Sequence, residues 1–277
     1  AALLLAFLDL AISLALRGVL PWHRTTMLLA AGLAGAAIFA PASGHAQGED
    51  SFALGAAIET RLAYVLTGSE ETDSRSRAGL VGLSDILERR TSVELGGPIG
   101  VDPSRDELAF FPLLYWPIRR DAPPLTADAV QRLNRFLRTG GMILFDTQDQ
   151  QGRGLGGARA LSSADLRRQL RGLNLPPLEP VPDGHVLTRS FYLLEAFPGR
   201  WAGGQVWVEA GDGAAPPVSS VLVGANDWAG AWAVDSLDRP IYPTMPGGER
   251  QRELAYRFGV NLVMYALTGN YKADQVH

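Results

Sequence analysis

Two apolar runs between residues 106 and 149 constrain the fold of this chain more than any other feature. The first, LAFFPLLYW, ends at Pro117, and the second, MILF, passes abruptly into the polar segment DTQD at 146–149. A helical pattern lies between them, and buried strands that alternate with helices are typical of a parallel α/β sheet. Because such sheets bind ligands beyond the carboxyl ends of their strands, we expect a rim of hydrogen-bonding groups at this edge.

The same alternation of strands and helices continues on both sides of these runs. Apolar segments bounded by glycine, proline or polar residues predict strands at 61–66, 93–101, 108–114 and 142–145. Apolar positions at helical spacing predict helices at 76–90, 127–139, 162–173 and 248–268. Residues 185–235 are predicted to form short β segments separated by turns. The order of elements in 61–173 implies a doubly wound sheet with right-handed crossovers.

Charge and composition exclude several classes of protein. The formal net charge is −4, which leaves no basic stripe to neutralise phosphates, so we expect no nucleic-acid partner. The chain has no cysteine, and this excludes disulfides, thiolate nucleophiles, cysteine-ligated zinc and iron–sulfur clusters. No motif in the sequence indicates a cofactor.

The N-terminal region has the pattern of a membrane segment. Residues 1–20 and 26–41 are apolar runs, each close to the lower limit of roughly 17 to 20 residues for a membrane span. Basic residues and Trp22 lie between them, which is typical of a short cytoplasmic loop. We therefore expect a transmembrane helical hairpin or anchor at 1–44, a linker at 45–58, and a periplasmic α/β domain at 59–277.

Three other interpretations of the N-terminus remain open. Residues 1–20 begin without Met and fit the tail of a longer membrane region. Residues 21–46 also resemble a cleaved signal peptide, with basic Arg24, an apolar stretch and a small-residue end. In the third interpretation the protein is soluble and packs these apolar helices into its own core.

Seven segments together resemble the bacterial family called domain of unknown function 4159. They extend from about Arg61 to the C-terminus and read RLAYVLTG, SRAGLVGLSDIL, VDPSRDELAFFPLLYWP, GGMILFDTQD, HVLTRSFYLL, GANDWAGAWA and RFGVNLVMYALTGNYKADQVH. The resemblance implies a flavodoxin-like, class I glutamine amidotransferase-like three-layer sandwich with a mainly parallel sheet. It also implies the C-terminal part of a BatA-like protein of the bacterial inner membrane.

The same resemblance implies a cellular context for the domain. Proteins of this family are often encoded with MoxR-type ATPases and von Willebrand A-domain proteins, which implies a role in envelope assembly or maturation and makes both expected partners. The family has no established activity. Amidotransferases use a cysteine nucleophile, and this chain has neither cysteine nor a G-x-S-x-G elbow, so we expect no ammonia-transfer chemistry.

The polar residues at predicted strand ends are the first candidates for ligand binding. Asp146 and Asp149, with Thr147 and Gln148 between them, have the oxygen groups that hold Mg²⁺ or Ca²⁺. The alternative is that Asp146 caps the loop and nearby backbone amides, as aspartates in turns commonly do. Asn226-Asp227 forms a second polar cluster, which is either a further ligand-binding candidate or an ordinary hairpin turn.

Aromatic and basic groups supply the remaining candidates. Tyr115 and Trp116 form either an aromatic wall for a ligand or a rigid corner that ends the strand. Thr67 follows the first strand. His185 is the only histidine inside the predicted domain, so it is either a general base, paired with Asp146 or Glu107, or a structural residue.

These residues lead to one preferred function and two alternatives. The preferred function is a non-catalytic, membrane-anchored periplasmic module that binds an envelope component at the rim, with membrane lipid as a further partner. The first alternative is a metal- or carboxylate-dependent hydrolase that uses Asp146, Asp149 and His185. The second is a domain that only braces a larger assembly, with its rim covered.

Overall fold

The computed structural model describes residues 59–149, 163–210 and 219–273. The apolar segments 1–20 and 26–41, the linker 45–58 and the glycine-rich loop 152–157 lie outside these described residues. Within the described ranges, no helix has both the length and the apolar character needed to cross a membrane.

Seven strands form one sheet in the order β2-β1-β3-β4-β7-β6-β5. The strands are β1 Arg61–Val65, β2 Gly96–Val101, β3 Leu113–Pro117, β4 Met142–Asp146, β5 Leu178–Pro180, β6 Trp207–Glu209 and β7 Val221–Gly224. The pairs among β2, β1, β3, β4 and β7 are parallel, whereas β6 and β5 add an antiparallel edge. The prediction of a mixed α/β fold with a mainly parallel sheet is confirmed.

Five α-helices and one 3₁₀ turn accompany the sheet in the described part of the chain. They are α1 Glu70–Arg90, α2 Ala127–Arg138, α3 Ser163–Gln169, α4 Trp228–Trp232 and α5 Gly248–Ala273, with the 3₁₀ turn at Val186–Thr188. Helix α1 leads from β1 to β2, and α2 leads from β3 to β4 in the opposite direction along the sheet. Because parallel crossovers are right-handed, the two helices lie on opposite faces of the sheet.

Helix α1 begins six residues earlier than the apolar pattern predicts. Its cap is Ser69, whose hydroxyl oxygen accepts the backbone N–H of Thr72. Glu70, Glu71 and Asp73 occupy the first turn, where carboxylates favour the positive end of the helix dipole. The polar first turn therefore forms by capping and charge, which an apolar periodicity cannot reveal.

Strand β3 lies further along the chain than predicted. Residues 108–111 form a turn closed by the Phe111 N–H and the Leu108 carbonyl, and the strand begins at Leu113. Tyr115 and Trp116 are therefore buried inside the strand and do not form a corner after it. Pro117 is the last strand residue, where a missing N–H costs little.

One face of the sheet packs against α1, α4 and α5 in a continuous apolar core. Trp228 and Trp232, the largest fully buried side chains, come from α4. The sequence predicted short β segments here, and this prediction is wrong because Asp227 caps a helical turn. Helix α4 lies directly against α1, since a Cβ on Gly79 or Gly82 would overlap its backbone carbonyls.

Candidate functional site

Asp146 is a fully buried carboxylate at the carboxyl end of β4. Its Oδ2 accepts the Tyr115 hydroxyl at 2.9 Å and the Trp228 N–H at 2.8 Å. Its Oδ1 accepts the N–H groups of Gln148 and Asp227 at 3.1 and 3.2 Å. Four donors converge on two oxygens, so this side chain ties the ends of β3, β4 and β7 together.

Burial and charge shift the acidity of this cluster. Burial raises the pKa of Asp146 to about 7, and the neighbouring Asp227 carboxylate acts in the same direction. The hydrogen bonds from Trp228, Tyr115 and Gln148 oppose the shift because they stabilise the charged form. Burial, together with Asp146, raises the pKa of Tyr115 well above its usual value, so the phenol stays protonated and donates.

Asp227 is the second fully buried carboxylate, and it follows β7. Its Oδ1 accepts the N–H of Gly230 at 3.1 Å and thereby caps α4. Its Oδ2 lies 3.4 Å from Nη1 of Arg200 and 3.6 Å from Nη1 of Arg75. Two guanidinium groups thus compensate one buried negative charge, as buried ions require.

Arg75 and Arg200 also share an aromatic partner that the sequence analysis missed. Their guanidinium carbons lie 5.0 and 5.1 Å from the ring centroid of Tyr242. The side chains of the two arginines remain 11% and 19% exposed, so this part of the cluster reaches solvent. The three residues come from α1 and from two loops distant in sequence, and no linear motif connects them.

Backbone strain is concentrated at the same place. Gln148 and Asp227 have backbone φ angles of +54° and +52°, which residues other than glycine seldom adopt. Gln148 Nε2 lies 3.5 Å from Oδ1 of Asp227, so the two strained residues are in contact. Strained backbone is frequently found at functional sites, which supports the choice of this cluster.

The structure brings Tyr115, Asp146, Gln148 and Asp227 together, and it uses the other predicted residues locally. Thr67 donates to Asp73 and fixes the start of α1. Thr147 continues the sheet through its N–H to Gly224. Two further residues are buried by packing and loop contacts: Trp116 packs on Phe145, and Asn226 donates to the carbonyls of Phe197 and Gly204.

His185 has a structural environment. Its Nδ1 accepts the N–H of Leu187 at 3.2 Å, and its ring packs edge-on against Tyr265. Burial lowers the pKa of His185, which favours the neutral imidazole. None of the hydrogen bonds within the described ranges joins it to Asp146. Those ranges also hold no group of three or more His, Asp or Glu side chains arranged to bind a metal.

One of two comparisons with known proteins found a match, and its boundaries are close to those of the sheet and its helices. A comparison with curated proteins found no match. Residues 61–267 match the family described as "Domain of unknown function (DUF4159)". The match begins at β1 and ends within α5, so it includes all seven strands and every residue of the cluster around Asp227. The chain therefore belongs to the DUF4159 family.

Proposed function

We propose that this chain is a membrane-anchored, periplasmic binding or assembly module in cell-envelope maturation and has no catalytic activity of its own. One observation carries the proposal. Asp146 and Asp227 are fully buried and are occupied by backbone and side-chain donors. Both arginines of the cluster, Arg75 and Arg200, reach solvent in part, together with the half-buried Gln148 and Tyr242. A site of this kind binds acidic groups of a partner.

The alternative, a hydrolase using Asp146, Asp149 and His185, has weaker support. A general base must lie within hydrogen-bonding reach of its substrate. Asp146 is enclosed and accepts four hydrogen bonds, and His185 faces Leu187 and Tyr265. The geometry is that of a carboxylate that organises strand ends.

The strand order supports the finer fold assignment. The sequence of strands β2-β1-β3-β4, extended by β7, has the doubly wound pattern of flavodoxin-like sheets. We extend the proposal to the three-layer, class I glutamine amidotransferase-like arrangement, with Asp146 and Asp227 at the carboxyl ends of the strands, where such folds bind ligands.

The proposed partners follow from the family context. A BatA-like protein in the bacterial inner membrane would present this rim to the periplasm, where von Willebrand A-domain proteins are the proposed contacts. A MoxR-type ATPase would act from the cytoplasmic side, because its ATP is there. The apolar segments 1–20 and 26–41 would supply the anchor and the contact with membrane lipid.

Site-specific photo-crosslinking in the native envelope tests the proposal. A benzophenone amino acid in place of Tyr242 is expected to capture a von Willebrand A-domain protein, and the same probe at exposed Arg135 on α2 is the matched control. Equal capture at both positions, or none, would contradict a binding function of the rim.

A metal titration separates the proposal from the hydrolase. We expect Mg²⁺, Ca²⁺, Mn²⁺ and Zn²⁺ to leave the thermal midpoint of the full chain unchanged. A metal-dependent increase that Asp149→Asn abolishes would favour the hydrolase.

A further inference from the structure

A cavity of about 660 Å³ lies beside the loop that carries Arg200. Its walls are mainly apolar and come from the segment between β5 and β6, from the residues just before α5 and from the start of α5: Val181, Phe197, Pro198, Val206, Pro246 and Leu254. This volume lies within the range of roughly 300 to 1,000 Å³ that is typical of small-molecule sites.

The buried polar residue in the wall of this cavity is already satisfied. Gln251 is 5% exposed, and its Nε2 donates to the carbonyls of Gly199 and Arg200 at 2.8 and 3.1 Å. Its Oε1 accepts the N–H of Gly247 at 2.9 Å. These three hydrogen bonds hold the Gln251 amide in the cavity wall. Because the amide is already hydrogen-bonded, an apolar group of a ligand can lie against it without leaving a polar atom unpaired.

Two opposite charges line the same cavity without ionic partners. Glu195 and Arg250 are both exposed, and neither forms a salt bridge within the described ranges. A carboxylate and a guanidinium beside an apolar cavity are complementary to a ligand with a cation, an anion and an apolar body between them. Charge complementarity of this kind gives specificity more than affinity.

Asn226, which follows β7, holds the loop that lines the cavity. The Asn226 side chain donates to the carbonyls of Phe197 and Gly204 at 2.8 and 3.2 Å. The N–H of Trp201 donates to the Asn226 carbonyl at 3.1 Å. The loop between Phe197 and Gly204 is therefore anchored at both ends. The cavity is pre-formed, so ligand binding does not lose the conformational entropy of ordering this loop.

We propose that this cavity binds a short apolar peptide with free termini. The α-ammonium group pairs with Glu195, the α-carboxylate pairs with Arg250, and the apolar side chains fill the space between Phe197 and Leu254. We limit the proposal to peptides of two to four residues. Their extended length is at most roughly 7 to 14 Å, at about 3.3 to 3.6 Å per residue. This site is separate from the arginine pair on which the proposed function rests.

Calorimetry on the full 277-residue chain tests this site. The probes are di-, tri- and tetrapeptides of leucine and alanine with free termini, each compared with its N-acetylated, C-amidated form. We expect the free peptides to bind and the blocked peptides to bind about tenfold more weakly, because two exposed ion pairs each contribute up to about 1 kcal/mol. Equal affinities, or no binding of any free peptide, would overturn the proposal.

Two charge variants assign each terminus. Glu195→Gln is expected to weaken free peptides about threefold and to leave N-acetylated peptides unchanged, and Arg250→Gln should do the same for the C-terminus. Arg135→Gln on α2 is the control and should change nothing. If either cavity variant weakens free and blocked peptides equally, the assignment of the termini is wrong.

A third variant tests the cavity without touching a charge. Ala202 is an exposed residue in its lining, so Ala202→Trp adds bulk to the cavity with little effect on the fold. We expect this variant to lose binding of the free peptides while its thermal midpoint stays that of the parent chain. Unchanged binding would place the peptides elsewhere on the molecule.

Discussion

The carboxylate of Asp146 accepts a 2.8 Å hydrogen bond from the backbone N–H of Trp228, and this bond joins the end of β4 to the first turn of α4. Three further donors complete the coordination of this carboxylate. Replacing one oxygen with an NH₂ group turns two of these attractive contacts into donor–donor contacts. Asp146→Asn is therefore expected to destabilise the fold by about 2 to 3 kcal/mol.

Chemical denaturation of the full chain measures this effect. Asp183→Asn is the matched control, because Asp183 is exposed. The control should stay within about 0.5 kcal/mol of the parent chain. A loss below that value for Asp146→Asn would mean that the four hydrogen bonds do not hold the strand ends together.

The raised pKa of Asp146 makes stability depend on pH. The folded value is about 7 and the unfolded value about 3.8, so the folded chain binds more protons between them. The contribution of Asp146 is fully present below about pH 4 and is lost as the pH rises toward 7, by at most about 1.4 kcal/mol per pH unit. The stability advantage of the parent chain over Asp146→Asn should therefore shrink across this window.

Carboxyl NMR chemical shifts give the pKa of Asp146 directly. Asp227→Asn should lower this pKa, because it removes the neighbouring negative charge that raises it. A titration midpoint near 4 in the parent chain would show that the hydrogen bonds outweigh burial.

The arginine pair around Asp227 should behave as one unit. Either Arg75 or Arg200 alone still compensates the buried charge, so Arg75→Gln and Arg200→Gln should each cost about 1 to 2 kcal/mol. With both changed, Asp227 is a buried carboxylate without a cation, and the cost should rise to more than the sum, about 3 to 5 kcal/mol.

A double-mutant cycle measures the coupling between these two arginines. Adding Asp227→Asn to the double variant should recover part of the loss, since it removes the uncompensated charge. Strictly additive costs without any recovery would show that the two guanidinium groups do not share Asp227.

The contact between α1 and α4 depends on glycine. A Cβ on Gly79 would overlap the carbonyl oxygen of Ala229, so Gly79→Ala should force the two helices apart and cost about 1 to 3 kcal/mol. Gly97→Ala is the control, because its Cβ would point into open space. Thermal denaturation compares the two, and similar midpoints would refute the close approach.

Much of the fold was predictable because it depends on local chemistry. Thr126 caps α2 through the N–H of Ala129, and Gly140 ends the helix region with a φ of +92°. The apolar run at 142–145 became β4. The start of α1 was missed because polar first turns carry no apolar period, and α4 was missed because a five-residue helix is too short to show one.

The candidate site was predictable only in part. Asp146, Gln148 and Asp227 were selected because each follows an apolar run, and they do meet. Arg75, Arg200 and Tyr242 were not selected, because the loops that carry two of them are positioned by long-range hydrogen bonds. The hydrogen bond from Arg200 N–H to the Asp227 carbonyl is one of these.

The sequence by itself determined the class of the fold, because strand burial and helix capping are properties of a few neighbouring residues. It also excluded thiol chemistry, because there is no cysteine. Only the tertiary structure decided that Asp146 and Asp227 are enclosed while Arg75 and Arg200 reach solvent. Burial of a charge depends on which distant segments pack around it, and that information is spread over the whole chain.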